Sequence, residues 1–236
     1  MRQLAMAGLM LAALIPAAAA DDREDCGKVV GDPLSSCARA IASGRYKGAE
    51  LAALQYYRGL AWQRRGAFDR AIADFTEALR DRGQSVAAFV ARGDSYALMR
   101  DLGRAIDDYN AALKIDPNHV GALANRGAAY GALGVYERAL ADFNRAVEIN
   151  PRNAAVFNSR GIFYARTNNY DRAIEDYGRA LAVDPGYAPA LGNRGDVRYL
   201  KRDYDGALSD YNEAIGLGAQ GPGAFEARAR AIQAKG

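Results

Sequence analysis

The sequence predicts an all-α protein built as a stack of five helix pairs, and three repeating features carry this prediction. The dipeptide Arg-Gly occurs five times, each 34 residues after the last. Alanine follows each of these glycines at two fixed distances, and an aromatic residue follows each at a third. Small residues let two helices approach closely and aromatic rings fill the space between them, so the pattern favours packed helices in a regular array.

The Arg-Gly spacing sets the register of the array. When each glycine is placed at position 8, the repeats occupy residues 52–85, 86–119, 120–153, 154–187 and 188–221. Alanine then falls at positions 20 and 27, and aromatic residues fall at position 24 and, except for Arg198 in the fifth repeat, at position 11. Positions 4, 8 and 11 share one helix face, as do positions 20, 21, 24, 27 and 28. Each repeat is therefore predicted to hold two antiparallel helices.

The second helix of each repeat is expected to begin near an acidic side chain that caps its free amide groups. The residues expected in this role are Asp69, Glu137, Asp171 and Asp205. Proline at three repeat ends then marks the turn to the next repeat, because proline cannot continue a helix. These residues are Pro117, Pro151 and Pro185.

This register resembles the tetratricopeptide repeat (TPR), which has the same 34-residue period and the same small and aromatic positions. The resemblance covers Ala52 to Gly221. It implies a right-handed α-solenoid of five TPR helix pairs, which we expect to be completed by an N-terminal half repeat and a C-terminal capping helix. It also implies that the first helices line a concave groove, with positions 2, 5, 9, 12 and 13 facing a bound peptide or helix of another protein.

Residues 1–20 have the pattern of a secretory signal peptide. A short positive start precedes the apolar stretch Leu4 to Ile15, and small residues follow at Ala18 to Ala20. The apolar stretch is too short for a stable membrane anchor, and we expect no transmembrane segment after cleavage. The sequence therefore predicts export, to the periplasm or to the medium.

Residues 21–51 are expected to close the N-terminal end of the array. In an oxidising compartment the two cysteines, Cys26 and Cys37, are expected to form a disulfide, with a redox-active pair as the alternative. Asp32-Pro33 is a typical helix start, and the segment 37–40 is similar to the second-helix segment 143–146. The disulfide would then tie an extended arm at Cys26 onto the helix of a half repeat.

Residues 222–236 are expected to form the capping helix. Pro222 begins it, with Phe225 at position 4 and Ile232 at position 11 of a sixth first helix. Basic residues such as Arg228, Arg230 and Lys235 are expected to make its outer face polar. A stacked array needs such a cap for solubility.

Charged residues recur at two positions where the TPR family usually has apolar ones. Position 7 is always Arg and position 23 is always Asp. We predict five ion pairs within repeats, because an unpaired charge between the helices would be costly. The alternative is a ladder of arginines for an anionic ligand. The predicted pairs are Arg58 with Asp74, Arg92 with Asp108, Arg126 with Asp142, Arg160 with Asp176, and Arg194 with Asp210.

The predicted groove is floored mostly by alanine and glycine, so a partner backbone can approach it closely. No repeat has the Lys and Asn set by which some TPR proteins clamp a peptide carboxylate. The few polar side chains at or beside the groove positions are the candidate contacts with a partner, or else ordinary solvated helix residues. They are Arg64, Asp94, Asn125, Asn158, Ser159, Arg166, Asn193 and Asp196.

Composition excludes several functions. One His and two Cys leave too few soft ligands for an ordinary zinc site, and the net charge of +3 does not favour a nucleic-acid partner. The sequence has no nucleophile or phosphate-loop motif, so it predicts no enzyme and no cofactor. It favours a scaffold that binds an envelope protein, with a self-associating homo-oligomer or a cell-wall glycan-binding module as alternatives. Sugar stacking would fall to the tyrosines outside the core positions, Tyr56, Tyr57, Tyr187 and Tyr199.

Overall fold

A computed structural model describes residues 18–27, 32–82, 84–218 and 222–235. All regular secondary structure in these residues is α-helical, which confirms the predicted fold class of paired helices. The chain divides into two units, Met1–Gly83 and Gln84–Gly236. Residues 1–17, which hold most of the predicted signal peptide, lie outside the described residues. None of the described helices is both long and apolar enough to pass through a membrane.

The first unit contains four helices. They are α1 (Ala18–Cys26), α2 (Pro33–Ala42), α3 (Gly48–Arg64) and α4 (Phe68–Arg82). The disulfide between Cys26 and Cys37 joins α1 to α2, and both cysteines are buried beside Leu54 of α3. The prediction of an extended arm at Cys26 is wrong, because that segment is helical. α1 and α2 form a pair that packs on α3.

The second unit contains nine helices within its described residues. They are α5 (Val86–Leu98), α6 (Leu102–Ile115), α7 (Val120–Ala132), α8 (Tyr136–Ile149), α9 (Ala154–Arg166), α10 (Tyr170–Val183), α11 (Ala188–Leu200), α12 (Tyr204–Gly216) and α13 (Pro222–Lys235). The first helices α5, α7, α9 and α11 begin where the 34-residue register begins. In the first unit α3 instead begins at Gly48, four residues ahead of its register.

Position 8 is glycine because the aromatic ring at position 24 lies directly against it. A Cβ atom added to Gly161 would lie 2.6 Å from the ring of Tyr177, closer than real Cβ contacts. The same close approach occurs at Gly59, Gly93 and Gly195. Gly127 has more room, since the nearest ring atom of Phe143 would be 3.4 Å away. All five rings at position 24 are buried, so this contact is the centre of each hairpin.

The turn within each repeat uses a left-handed residue at position 15. Its φ lies between 59° and 78° in all five repeats. Glycine, which adopts this conformation freely, occupies the site in two repeats, whereas Arg and Asn occupy it in the other three. The five residues are Gly66, Arg100, Gly134, Asn168 and Arg202.

The second helices begin differently from the prediction. Asp69, Glu137, Asp171 and Asp205 lie in the first turn, not at the capping position. Where an acidic cap exists, it comes from the residue just before the first residue of the helix. Asp101 accepts from the N–H of Arg104, and Asp203 accepts from the N–H of Gly206. Only a residue just outside the helix has the extended backbone that turns its side chain back onto the free amides. The first-turn carboxylates still interact favourably with the helix dipole.

Candidate functional site

The first helices of the second unit form one layer. α5, α7, α9, α11 and α13 contact one another in succession, whereas the second helices of this unit contact only first helices. The predicted ligand positions lie on this layer. We call the surface formed by positions 2, 5, 9, 12 and 13 of repeats two to five the first-helix face.

The centre of the first-helix face carries almost no side-chain bulk. Gly121, Ala128 and Ala132 of α7 are exposed there. Because these residues end at or before Cβ, an incoming main chain can approach the backbone of α7 closely. The face is therefore a shallow surface on which polar groups occur singly.

Four of the predicted contact residues join neighbouring first helices. Asn125 of α7 donates a hydrogen bond from Nδ2 to Oδ1 of Asp94 on α5, at 2.7 Å. Asn193 of α11 donates from Nδ2 to Oδ1 of Asn158 on α9, at 2.9 Å, and Asn158 is only 7% exposed. These atoms therefore connect successive repeats, and the role of the four residues as partner contacts stays a prediction.

Asp94 is the most enclosed carboxylate of the first-helix face. Its Oδ1 atom accepts hydrogen bonds from Asn125 and from the hydroxyl of Tyr109, at 2.7 Å each. Burial raises the pKa of Asp94, and the two hydrogen bonds oppose that rise. Burial, reinforced by the Asp94 charge, also raises the pKa of Tyr109, so its hydroxyl stays a donor at neutral pH. The arrangement fixes α5 against α6 and α7.

Asp196 holds the corresponding place in the fifth repeat but is exposed. It accepts a hydrogen bond from the hydroxyl of Tyr211, at 2.8 Å. It borders a cleft of about 510 Å³ between α11, α12 and α13, whose floor includes Gly192 and Ala227. Of the two aspartates on this face, Asp196 is the one that a ligand can reach.

The remaining predicted contacts are dispersed. Arg166 is exposed at the end of α9, and Ser159 is half-buried on the same helix. Both line a cavity between α7 and α9. Arg64 is exposed at the end of α3 and belongs to the first unit.

The Arg and Asp residues that recur in the sequence meet in all five repeats. In each pair Nε and Nη2 of the arginine donate to the two carboxylate oxygens, with distances from 2.6 to 3.0 Å. The aspartate side chains are 2–10% exposed. The hydrogen bond that Arg126 donates to Asp142 raises the pKa of Arg126, and the bond to Asp176 does the same for Arg160. Each guanidinium already binds a carboxylate, so the alternative that the five arginines bind an anionic ligand is not supported.

The arginines also connect successive repeats, a role that the sequence reasoning missed. Nη1 of Arg126 donates to Asn110, at 2.7 Å, and Nη1 of Arg160 donates to Asn144, at 2.8 Å. Both asparagines occupy position 25 of the preceding repeat. The sequence does carry this signal, because Asn recurs at position 25 in repeats two, three and five, with Gly178 in repeat four. An arginine that binds both its aspartate and the asparagine of the preceding repeat thus stabilises its own hairpin and the contact with the previous hairpin.

Arg198 stands at position 11, where the other four repeats have an aromatic residue, and the structure gives the reason. Its Nη1 atom donates to Oδ2 of Asp210, at 2.9 Å, so Asp210 binds Arg194 and Arg198 together. A second guanidinium thus joins the ion pair of the fifth repeat.

The described residues offer little for the sugar-binding alternative. Of the four tyrosines proposed for sugar stacking, Tyr57 is exposed, whereas Tyr56, Tyr187 and Tyr199 are partly buried. The lone histidine, His119, caps α7 by accepting from the N–H of Ala122. No group of three or more His, Cys, Asp or Glu side chains suited to a metal ion occurs among the described residues.

Comparison with known proteins places the fold. Family models described as "Tetratricopeptide repeat" match residues 120–153, 143–175 and 160–224, and one described as "TPR repeat" matches residues 101–134. Together these matches span more than half of the chain. Among curated proteins, none matches the sequence.

Solved structures similar to this chain include a thermophilic TPR protein of Thermus thermophilus. It is 22% identical, covers 78% of this chain and 98% of its own, and gives a TM-score of 0.68. A tetratricopeptide repeat protein from Parabacteroides merdae is 19% identical over 85% of this chain and 91% of its own, with a TM-score of 0.57. YrrB, described as a TPR protein with an unusual peptide-binding site, is 22% identical over 83% of this chain and 98% of its own, with a TM-score of 0.52. At these identities the likeness shows the fold alone.

Proposed function

We propose, from the premise that this chain belongs to the tetratricopeptide repeat family, that it is a non-enzymatic scaffold which binds a segment of another protein on its first-helix face. The family and fold support protein–protein interaction in general. The finer proposal is that the chain acts after export, in the periplasm, and that its partner is an envelope protein. Export rests on the signal pattern of residues 1–20, and processing after Ala20 would be checked by N-terminal sequencing of the exported chain.

A cavity between α7 and α9 is the observation that carries the proposal. It has a volume of about 70 Å³ and opens on the first-helix face at Ala128 and Gly131. Its wall contains Phe143 and Phe163, whose ring centroids lie 5.7 Å apart. Small residues at the mouth and aromatic rings inside form a receptor for one apolar side chain of a partner.

The rim of this cavity adds a charge. Arg166 lines the opening, is exposed, and has no ion-pair partner among the described residues. Tyr136 is half-exposed, and its ring centroid lies 5.9 Å from that of Phe163, so it extends the apolar wall to the surface. We therefore propose a partner segment in which an aliphatic side chain enters the cavity and a neighbouring carboxylate binds Arg166.

Site-specific crosslinking in the envelope tests this proposal. A photo-reactive phenylalanine analogue placed at Ala128 should capture a partner protein, because that residue lies at the mouth of the cavity. The matched control places the same analogue at Glu148, an exposed residue of α8 away from the first-helix face. Adducts from position 128 and none from position 148 are expected, and Arg166→Glu should reduce them several-fold without a change in melting temperature.

The other outcomes assign the alternatives. Absence of any adduct at position 128, or equal adducts at both positions, would contradict the proposed site. An adduct between two copies of this chain would support the self-associating alternative. Retention on purified cell-wall sacculi that Tyr57→Ala abolishes would support the glycan-binding alternative.

A further inference from the structure

The terminal helix α13 carries the register of a first helix, and one of its faces is uncovered by the described residues. Phe225, Arg228, Ala229 and Ile232 occupy positions 4, 7, 8 and 11. We call these four residues the terminal-helix face. Phe225 is 40% exposed and Ile232 is 55% exposed. The opposite side of α13 packs on α12 through the buried residues Ala227 and Ala231.

In repeats three, four and five of this unit, position 4 is buried. The residues at position 4 of repeats three, four and five are Leu123, Phe157 and Leu191, which are 4%, 5% and 1% exposed. The exposure of Phe225 is therefore an exception within its register. The outer face of α13, which the basic residues were expected to make polar, also exposes this apolar stripe.

Arg228 shows what kind of helix fits there. It is the sixth arginine at position 7, and like Arg126 and Arg160 it donates from Nη1 to an asparagine at position 25 of the preceding repeat, here Asn212 at 3.4 Å. Its guanidinium also lies 5.6 Å above the ring of Phe225. In the five complete repeats the Nε and Nη2 edge of this arginine binds an aspartate. For Arg228 no carboxylate occupies that edge among the described residues.

We propose that the terminal-helix face docks an amphipathic helix of another protein, and that this helix presents an aspartate to Arg228. Charge complementarity supports this occupant, since the same register binds a carboxylate bidentately five times in this chain. Flanking apolar residues of the incoming helix would cover Phe225 and Ile232. This surface is separate from the first-helix face, so either proposal can fail without the other.

Ala229 restricts the residue that follows the aspartate. At position 8 of four complete repeats, a Cβ atom would lie 2.6–2.7 Å from an aromatic ring at position 24. The terminal helix has alanine at this position, so a ring in the same place would overlap its Cβ. The docked helix therefore carries a small or aliphatic residue after its aspartate, such as Ala, Val or Leu.

The same restriction argues against a second copy of this chain as the occupant. Position 24 holds Phe or Tyr in every one of its five second helices, and each ring is buried in its own hairpin. A second helix from another copy would have to leave its own hairpin, and it would bring an aromatic ring against Ala229. Among the five rings, only that of Phe143 in α8 leaves 3.4 Å to a Cβ atom at position 8. The chemistry of the face thus favours a foreign helix.

Synthetic peptides test the proposal directly. The first peptide has the sequence of α10, Tyr170–Val183, with leucine in place of Tyr177; the second keeps Tyr177; the third has leucine there and asparagine in place of Asp176. Fluorescence polarisation with the full exported chain should show binding of the leucine peptide. The asparagine peptide should bind roughly tenfold more weakly or worse, because a charged hydrogen bond is lost.

Protein variants locate the site and test the specificity. Arg228→Gln should weaken binding of the leucine peptide about tenfold, whereas Arg230→Gln, a matched change at an exposed neighbour, should leave it unchanged. Ala229→Gly should improve binding of the tyrosine peptide relative to the leucine peptide. Circular dichroism melts identify any variant whose terminal helix has unfolded, and chemical-shift changes confined to α13 then provide the readout in the unmodified chain.

Several results would overturn the inference. These are no binding of the leucine peptide, equal binding of the aspartate and asparagine peptides, or shift changes elsewhere than α13. Sedimentation of the chain alone is expected to show a monomer. A dimer that Arg228→Gln dissociates would overturn the choice of a foreign helix in favour of a second copy.

Discussion

The interior of each hairpin and the first-helix face are built from the same helices but follow opposite rules. Inside the hairpin, the pair of Arg at position 7 and Asp at position 23 recurs in all five repeats, as does the contact of Gly at position 8 with the ring at position 24. On the first-helix face no polar arrangement occurs in all the repeats of the second unit. Asp94 and Asp196 stand at the same position, yet one is enclosed by hydrogen bonds and the other borders a cleft.

This difference separates what builds the stack from what varies along it. A contact that recurs every 34 residues stabilises a hairpin wherever it stands, so it carries no information about a partner. Side chains that occur once distinguish one part of the face from another. Substitutions inside the hairpin are therefore expected to change stability, whereas those on the face should change binding.

Loss of the carboxylate in the most buried ion pair should have the largest effect. Arg160 and Asp176 have side chains only 10% and 3% exposed. Asp176→Ala leaves the guanidinium buried without its counter-charge and is expected to cost about 3 kcal/mol of unfolding free energy, measured by urea denaturation. The double variant Arg160→Leu with Asp176→Leu should cost less than the single change.

The pair in repeat three provides the graded control. Arg126 is 21% exposed, so Asp142→Ala should cost less than Asp176→Ala, because water can solvate the freed guanidinium. It should still cost more than Arg126→Leu combined with Asp142→Leu. Double variants that are as unstable as the single ones would show that the pairs stabilise the fold by direct attraction and not by avoiding a stranded charge.

Alanine at position 8 should distinguish two repeats that look alike in sequence. Gly161→Ala places a Cβ atom 2.6 Å from the ring of Tyr177, and overpacking of this kind costs about 1–3 kcal/mol. The higher helix propensity of alanine returns about 1 kcal/mol, so a net loss of about 1 kcal/mol is expected. Gly127→Ala would place a Cβ atom 3.1 Å from the backbone oxygen of Ala139 and 3.4 Å from the ring of Phe143, so it should cost less than Gly161→Ala. Equal melting temperatures for the two variants would contradict the difference in packing.

Glycine at the left-handed turn position should stabilise the repeats that lack it. Arg202 has φ of 64° and is exposed, and a non-glycine residue in this region is strained. Arg202→Gly is expected to raise the unfolding free energy by about 0.5–1 kcal/mol in thermal or urea melts. Gly134→Ala is the reciprocal change and should lower it by a similar amount. A loss of stability in Arg202→Gly would mean that the arginine makes a compensating contact.

Replacement of Asp94 by asparagine should have the smallest effect, visible mainly as a change with pH. Burial raises the pKa of Asp94 in the folded state, so folding favours its protonated form. The stability of the natural protein should then fall as pH rises above the ordinary aspartate value of 3.8, until the folded carboxyl is fully ionised. Asp94→Asn keeps an Oδ1 atom for both donors and removes the charge, so its advantage should grow over that pH range.

Urea denaturation at pH 3.5 and pH 7 measures this difference. The matched control is Asp196→Asn, the same substitution at the exposed aspartate of the fifth repeat. If Asp94→Asn lost stability relative to the natural chain as pH rose, the charged hydrogen bonds from Tyr109 and Asn125 would outweigh the cost of burial.

Much of the fold could be predicted because the residues that form each contact within a repeat recur five times in the sequence. The 34-residue period gave the helix pairs, and the paired recurrence of Arg and Asp indicated their contact, since two charges that recur together inside a hairpin need each other. The helical form of residues 18–26 could not be predicted this way, because that segment occurs once. The capping residues were placed two residues too far into the helix, since an acidic residue in the first turn and one at the cap look alike in a sequence.

By itself the sequence determined the register, the all-α class, the five hairpin interiors and the pairing of Cys26 with Cys37. Only the tertiary structure decided that Asn125 and Asn193 bind neighbouring helices and that asparagines at position 25 accept hydrogen bonds from the arginines of the next repeat. It also decided that α13 leaves an apolar stripe exposed around Arg228. The physical reason is that contacts within a repeat lie at a fixed distance along the chain and recur with it. Contacts between repeats, and the surfaces left uncovered, depend on how the helices stack.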